Sequence, residues 1–198
     1  MVVVDVETTG KNPTNHSIIE IGAVDFFNPI NIFEGQCHIW KGAQIDKIAL
    51  EWNGASVESV TDESKDSLGV LMSNFIQWLD NIEDKTFAGQ NIDFDIGFLD
   101  FSSKKSGMDR KFGKRKIDQH SLVYTHMLKR ELTPPLKNGL SDISGDFIID
   151  YVGIQHEPRP HSAINGAKYE AEAISRLVFG KSLFNEFHQC PIPHYLIS

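Results

Sequence analysis

The hydrophobic period of this chain changes near Leu68, and that change restricts the fold more than any other feature. Before it, three β-forming runs follow one another: Val2-Val3-Val4 leading into Asp5-Val6-Glu7, then Ile18 to Phe27, then Ile32 to Trp40. Thr8-Thr9-Gly10 and Asn28-Pro29 supply the turn chemistry between runs, which predicts an antiparallel meander. From Leu68 onward, Leu68, Leu71, Met72, Phe75, Ile76 and Leu79 recur at helical spacing and form one apolar stripe. A short buried strand is expected at Thr86 to Gly89. Helices are expected over Asp93 to Phe101, Ser121 to Lys129, Ser141 to Tyr151 with Ser141 as N-cap, and Ala163 to Phe179. Strands followed by helices interleaved with a short strand predict an α/β domain, a mixed sheet flanked by helices.

Composition narrows the class. With 198 residues, 40% of them apolar and 23% charged, the chain suits a single folded domain, here placed at 1–180 with a tail over 181–198 packed on it. The net charge of −8 argues against broad, non-specific binding to phosphates, and leaves nucleic acid open only where positive charge is concentrated. Cys37 and Cys190 are too far apart in sequence for a CxxC site and supply no disulfide framework. No apolar run reaches the ~18–20 residues of a membrane span, and no secretory leader is apparent, so a cytoplasmic protein is expected.

Three local features carry chemistry. Asp5 and Glu7 stand at i and i+2 on one strand, so both carboxylates face the same side. Side by side on an apolar strand they repel each other and lose hydration, and a hard divalent cation relieves both costs. The plainer reading is a strand end emerging into water. Asn91-Ile92-Asp93-Phe94-Asp95 offers further acids in the first turn of a helix, where the helix dipole alone would favour them. From the residues themselves, Asp93 and Asp95 both remain candidates. His161-Ser162-Ala163 enters the last helix, and one histidine among eight says little by itself.

The order of these features is specific. Val3 to Gly10, Ala88 to Leu99, and His161-Ser162-Ala163 resemble in sequence the DEDDh (DnaQ-like) 3′→5′ exonucleases of the ribonuclease H-like superfamily. Lys116-Ile117-Asp118 and the stretch from Leu140 through Gly153-Ile154 are similar to further segments of that family. The resemblance implies a mixed sheet combining an antiparallel meander with parallel strands, and Mg²⁺- or Mn²⁺-dependent hydrolysis at nucleic-acid 3′ ends, releasing nucleoside 5′-monophosphates. It implies Asp5, Glu7 and Asp95 as ligands of a two-ion or one-ion site and His161 as general base. Thr8, Thr9, Gly10, Asn91 and Phe94 are implied to touch the terminal nucleotide. The implied substrate is a single-stranded 3′ end, DNA ahead of RNA, although an oligoribonuclease-like enzyme would carry the same carboxylates. A DNA polymerase or a second copy of the chain are the implied protein partners.

One position departs from the pattern. The family motif H-x-A-x-x-D-A reads here His161-Ser162-Ala163-Ile164-Asn165-Gly166-Ala167, with Gly166 in place of the fourth carboxylate. A helical glycine costs around 1 kcal/mol relative to alanine, so propensity does not explain it. Either the enzyme works with an altered site, with Glu170 one turn further on as substitute ligand, or the chain binds 3′ ends with little or no cutting; an engineered inactivating change is a third reading. Beside Lys168 and Glu172, Glu170 reads more simply as part of a solvated face. A basic segment, with Lys104, Lys105, Arg110, Lys111, Lys114, Arg115 and Lys116, is open as either a phosphate guide or a solvated connection.

Overall fold

The computed structural model describes residues 1–197. Among the described residues seven strands and seven α-helices run in the order β1 (Val2–Thr8), β2 (Ile18–Asp25), β3 (Ile32–Gln36), α1 (Lys47–Asn53), α2 (Val57–Thr61), α3 (Leu68–Asp80), β4 (Phe87–Gly89), α4 (Asp93–Lys105), β5 (Lys116–Asp118), α5 (Gln119–Lys129), β6 (Leu136–Lys137), β7 (Leu140–Ser141), α6 (Gly145–Val152) and α7 (Ala163–Phe179). The main sheet has the order β3-β2-β1-β4-β5. Strands β1, β2 and β3 form the expected antiparallel meander, and β4 and β5 extend it in parallel. Among the described residues no helix is long and apolar enough to cross a membrane.

Strand β1 sits in the middle of the sheet, and its alternation divides the core. Val2, Val4 and Val6 pack with Leu71, Met72 and Phe75 of α3 and Phe98 and Leu99 of α4. Val3 faces the other way, with Ile164, Ala167, Ala171 and Ile174 of α7. By the same period of two, Asp5 and Glu7 lie on the α7 face. Helix α7 comes unusually close there: a Cβ on Gly22 of β2, the partner of Asp5 in the ladder, would overlap the backbone of Ala163 and Ile164. Only a residue without a side chain at position 22 lets the helix lie on the strands at this point.

The tail is tied down through charge inside the protein. Arg176 and Glu172 of α7 are both fully buried and paired, Nε to Oε1, at 2.7 Å. The remaining guanidinium hydrogens go to the carbonyls of Val152, Gly153, Phe187 and Cys190, while Glu172 Oε2 accepts from the Leu183 and Phe184 N–H groups. Each buried charge is therefore fully satisfied, the condition under which such a pair holds a structure together.

Several sequence expectations needed correction. Ser141 lies in β7, and the N-cap of α6 is Ser144, whose hydroxyl accepts from Phe147 N–H at 3.2 Å. The third strand ends at Gln36, four residues short of Trp40. Helices α1 and α2 and the β6–β7 ribbon are too short to leave a periodic signal. Glu172, expected on a solvated face, is the buried partner of Arg176.

Candidate active site

Strand β1 carries Asp5 to a cleft of ≈ 360 Å³ whose walls include Asp5, Trp52, Gln90, Glu157, His161 and Glu170, with Glu7 beside Asp5 on the same face of the strand. Asp95 joins them from α4. It is 4% exposed, and its Oδ1 accepts the Val6 N–H at 3.0 Å, fixing the carboxylate to the strand between the two acids. Asp93, the competing candidate, instead forms an ion pair with Lys116 on the surface. The turn that starts α4 is held by Asp118, which accepts from Ile92 N–H (3.1 Å) and caps α5 through His120 N–H (2.9 Å).

The electrostatics of these acids follow from crowding under poor solvation. Burial, then Asp95, raises the pKa of Asp5 well above the ordinary range, and burial likewise raises that of Asp95 against the Val6 hydrogen bond. Glu7 is pushed from 4.5 to about 8 by burial, then by Asp5 and Glu20. The Asn53 side chain, which also donates to the Thr8 carbonyl at 3.2 Å, favours ionised Glu7. Four acids that resist ionisation within electrostatic reach of one another are costly to fold without a compensating positive charge.

Glu170 is the fourth, and the structure overturns its solvated reading. Its Oε2 is fully buried without a hydrogen-bond partner and lies 2.9 Å from where a Cβ on Gly89 would begin, at the end of β4. Burial, Asp5 and Asp95 all raise its pKa. Gly166 stands one turn earlier on α7, where a Cβ would overlap Asp5 Oδ2.

His161 precedes the α7 N-cap, Ser162. Its N–H donates to the Trp52 carbonyl at 3.4 Å, and the two rings meet edge to face with centroids 5.9 Å apart. Its Nδ1 lies 3.5 Å from Glu157 Oε2, a side chain only 13% exposed. Burial raises the pKa of Glu157 and His161 lowers it. Sequence reasoning missed Glu157, Asn53 and Gln90; the only available signal was an acid four residues before the histidine.

Other expected residues fare unevenly. Thr9 is fully buried, its hydroxyl donating to the Gln44 carbonyl and accepting Ser17 N–H, while Thr8 Oγ1 donates to the Gly10 carbonyl. Both hydroxyls thus shape the turn. Asn91 is exposed at positive φ (53°), and Phe94 packs on Phe98 with centroids 4.9 Å apart. In the basic segment, Arg110, Lys111 and Lys116 pair with Asp80, Asp100 and Asp93. Arg110, Lys111, Lys114 and Arg115 lie beside Leu79, Asp84 and Phe87, at the start of β4 and outside the cleft lined by Asp5, and a solvated connection is the better description.

A family model described as exonuclease matches residues 2–174. The chain belongs to this exonuclease family. The DNA polymerase III subunit epsilon of Buchnera aphidicola is 32% identical over 183 residues, covering 88% of this chain and 69% of that protein. The corresponding subunit of Pasteurella multocida is 29% identical, over 93% of this chain and 71% of its own length. The 3′-5′ DNA exonuclease Cap18 of Escherichia coli is 32% identical over 62% of the chain and 67% of its own length. Among solved structures, cell-death related nuclease 4 superposes with a TM-score of 0.69 at 16% identity, over 91% of this chain and 64% of that one. Escherichia coli exonuclease I in complex with a dA16 oligonucleotide does so with a TM-score of 0.68 at 15% identity, over 91% and 40%. These solved structures share the ribonuclease H-like fold. As a member of the exonuclease family, the chain is a hydrolase acting on nucleic acids.

Proposed function

We propose that this exonuclease is a divalent-metal-dependent 3′→5′ enzyme acting on single-stranded DNA ends, with Asp5, Glu7 and Asp95 as metal ligands and His161 as general base. The observation that carries the reading is that Asp5 lines one cleft with His161, while Glu7 and Asp95 are close enough to Asp5 and to each other to interact electrostatically. The donor set fits a hard cation: every candidate ligand is a carboxylate, and one oxygen of the neighbouring Glu170 is buried without a partner. Among the described residues no three acids or imidazoles are close enough to hold an ion as they stand.

When bound, Mg²⁺ or Mn²⁺ would stabilise charge on the attacking and leaving oxygens of an in-line displacement. The protein's own contribution is positional. The Val6 N–H holds Asp95, Asn53 favours ionised Glu7, and Trp52 with Glu157 fixes the His161 ring at the cleft. A neutral His161 can take the proton of an attacking water. The DNA preference and a polymerase partner rest on the relatives named DNA polymerase III subunit epsilon and 3′-5′ DNA exonuclease, of which the chain covers 69% and 67%.

The test is a 3′-overhang oligonucleotide with Mn²⁺, in DNA and RNA forms. Release of 5′-mononucleotides that Asp5→Ala abolishes supports the reading. Tight 3′-end binding without turnover would refute it and favour a binding module; faster cutting of RNA would refute the DNA preference.

A further inference from the structure

The geometry points to Glu170 as the fourth metal-binding carboxylate of this site, moved one helical turn along α7 from position 166. This rests on the exonuclease reading and specifies how its metal site is completed. On a helix, residues four apart lie on the same face, and a side chain at the later position leans back over the earlier turn. Glu170 therefore covers the ground next to Gly166, and the longer glutamate makes up for its more distant Cα. Three separate observations agree. The Glu170 Oε2 is buried and unpartnered, lying over the end of β4. Its electrostatic neighbours are Asp5 and Asp95, the acids from the two other elements. Gln119 Nε2 donates to the Glu170 carbonyl at 2.6 Å and fixes that turn of the helix.

The two positions are also linked sterically. Asp5 Oδ2 occupies the space that any Cβ at position 166 would need. With glycine there, Asp5 can lie against α7, and the acid is supplied from the next turn. A side chain at 166 would require Asp5 to turn aside, so Gly166 and Glu170 form a matched pair. A buried acid with an open oxygen is otherwise an unsatisfied group that folding would select against.

The test is Mn²⁺ binding to the full chain without nucleic acid, followed by calorimetry and by the electron-paramagnetic signal of free Mn²⁺. Glu170→Gln should weaken binding roughly tenfold or more, while its thermal midpoint in chelator stays at or above that of the wild type. Gly166→Ala, which keeps Glu170 but places a Cβ where Asp5 Oδ2 lies, should also weaken binding, and unchanged affinity there would refute the pairing of the two positions. Wild-type affinity and cutting retained in Glu170→Gln would overturn the inference while leaving the exonuclease reading intact. A wild-type chain that neither binds Mn²⁺ nor cuts would overturn both. Glu170→Asp is the second variant: its shorter side chain should lose affinity, and an unchanged affinity would refute the assignment.

Discussion

Folding energy should run against function at Glu7. Its pKa lies near 8 in the native protein against 4.5 for an ordinary glutamate, so between those values the native state holds a proton that the unfolded chain has released. Stability therefore falls as pH rises through this window. Each full pH unit is worth about 1.36 kcal/mol. Between pH 6 and 8 the response is nearly complete at the lower end and reduced at the upper, giving about 2 kcal/mol from this one side chain. Asp5, Asp95 and Glu170 shift in the same direction and add to it. His156, held protonated by Asp150, adds in the same sense, while burial of His126 opposes it. With a urea slope of about 2 kcal/mol per molar, Glu7 alone should lower the unfolding midpoint in chelator by about 1 M between pH 6 and 8. Glu7→Gln should remove about that much of the drop and leave the variant more stable than wild type at pH 8, though inactive. Added Mn²⁺ should stabilise wild type more at pH 8 than at pH 6, since the cation favours ionised ligands. A midpoint in chelator that is level or rises with pH, or a Glu7→Gln variant with an unchanged drop, would refute the reasoning.

Other outcomes follow from the same geometry. Glu157→Gln should lower kcat roughly 10-fold with KM and thermal midpoint little changed, because the carboxylate at His161 Nδ1 orients the ring and leaves Nε2 free; steady-state kinetics with and without His161→Ala, against which the effect should vanish, check it. Arg176→Met leaves Glu172 buried and unpaired and should cost about 3–5 kcal/mol, read by urea unfolding, with limited proteolysis cutting first after Gly180. Phe75→Ala, in a fully buried position among Phe33, Trp78 and Phe112, should cost about 3–5 kcal/mol by the same assay. Charge reversal at Arg110 and Lys111 should leave oligonucleotide affinity within about twofold across a salt series, since their partners are Asp80 and Asp100.

The sequence by itself determined the order of strands and helices, because hydrophobic period and turn residues are local properties. It placed Asp5 and Glu7 on one face for the same reason, and the α3 and α7 boundaries agree with the structure at Leu68, Ala163 and Phe179. Short elements were illegible: seven residues of α1 or two of β6 bury too few side chains to impose a period. Tertiary structure decided the rest. Asp95 and not Asp93 meets β1 because the α4 start lies against the Val6 N–H, a contact 89 residues away in the chain. Lys168, Glu170 and Glu172 read identically as a polar run. Yet Glu172 finds Arg176 and the tail, and Glu170 points at the acids of β1 and α4. The basic run reads as a patch until its counter-acids from α3 and α4 come beside it. A side chain's charge is written in the chain; what it costs, and which partner offsets that cost, depends on which distant groups share its low-dielectric surroundings.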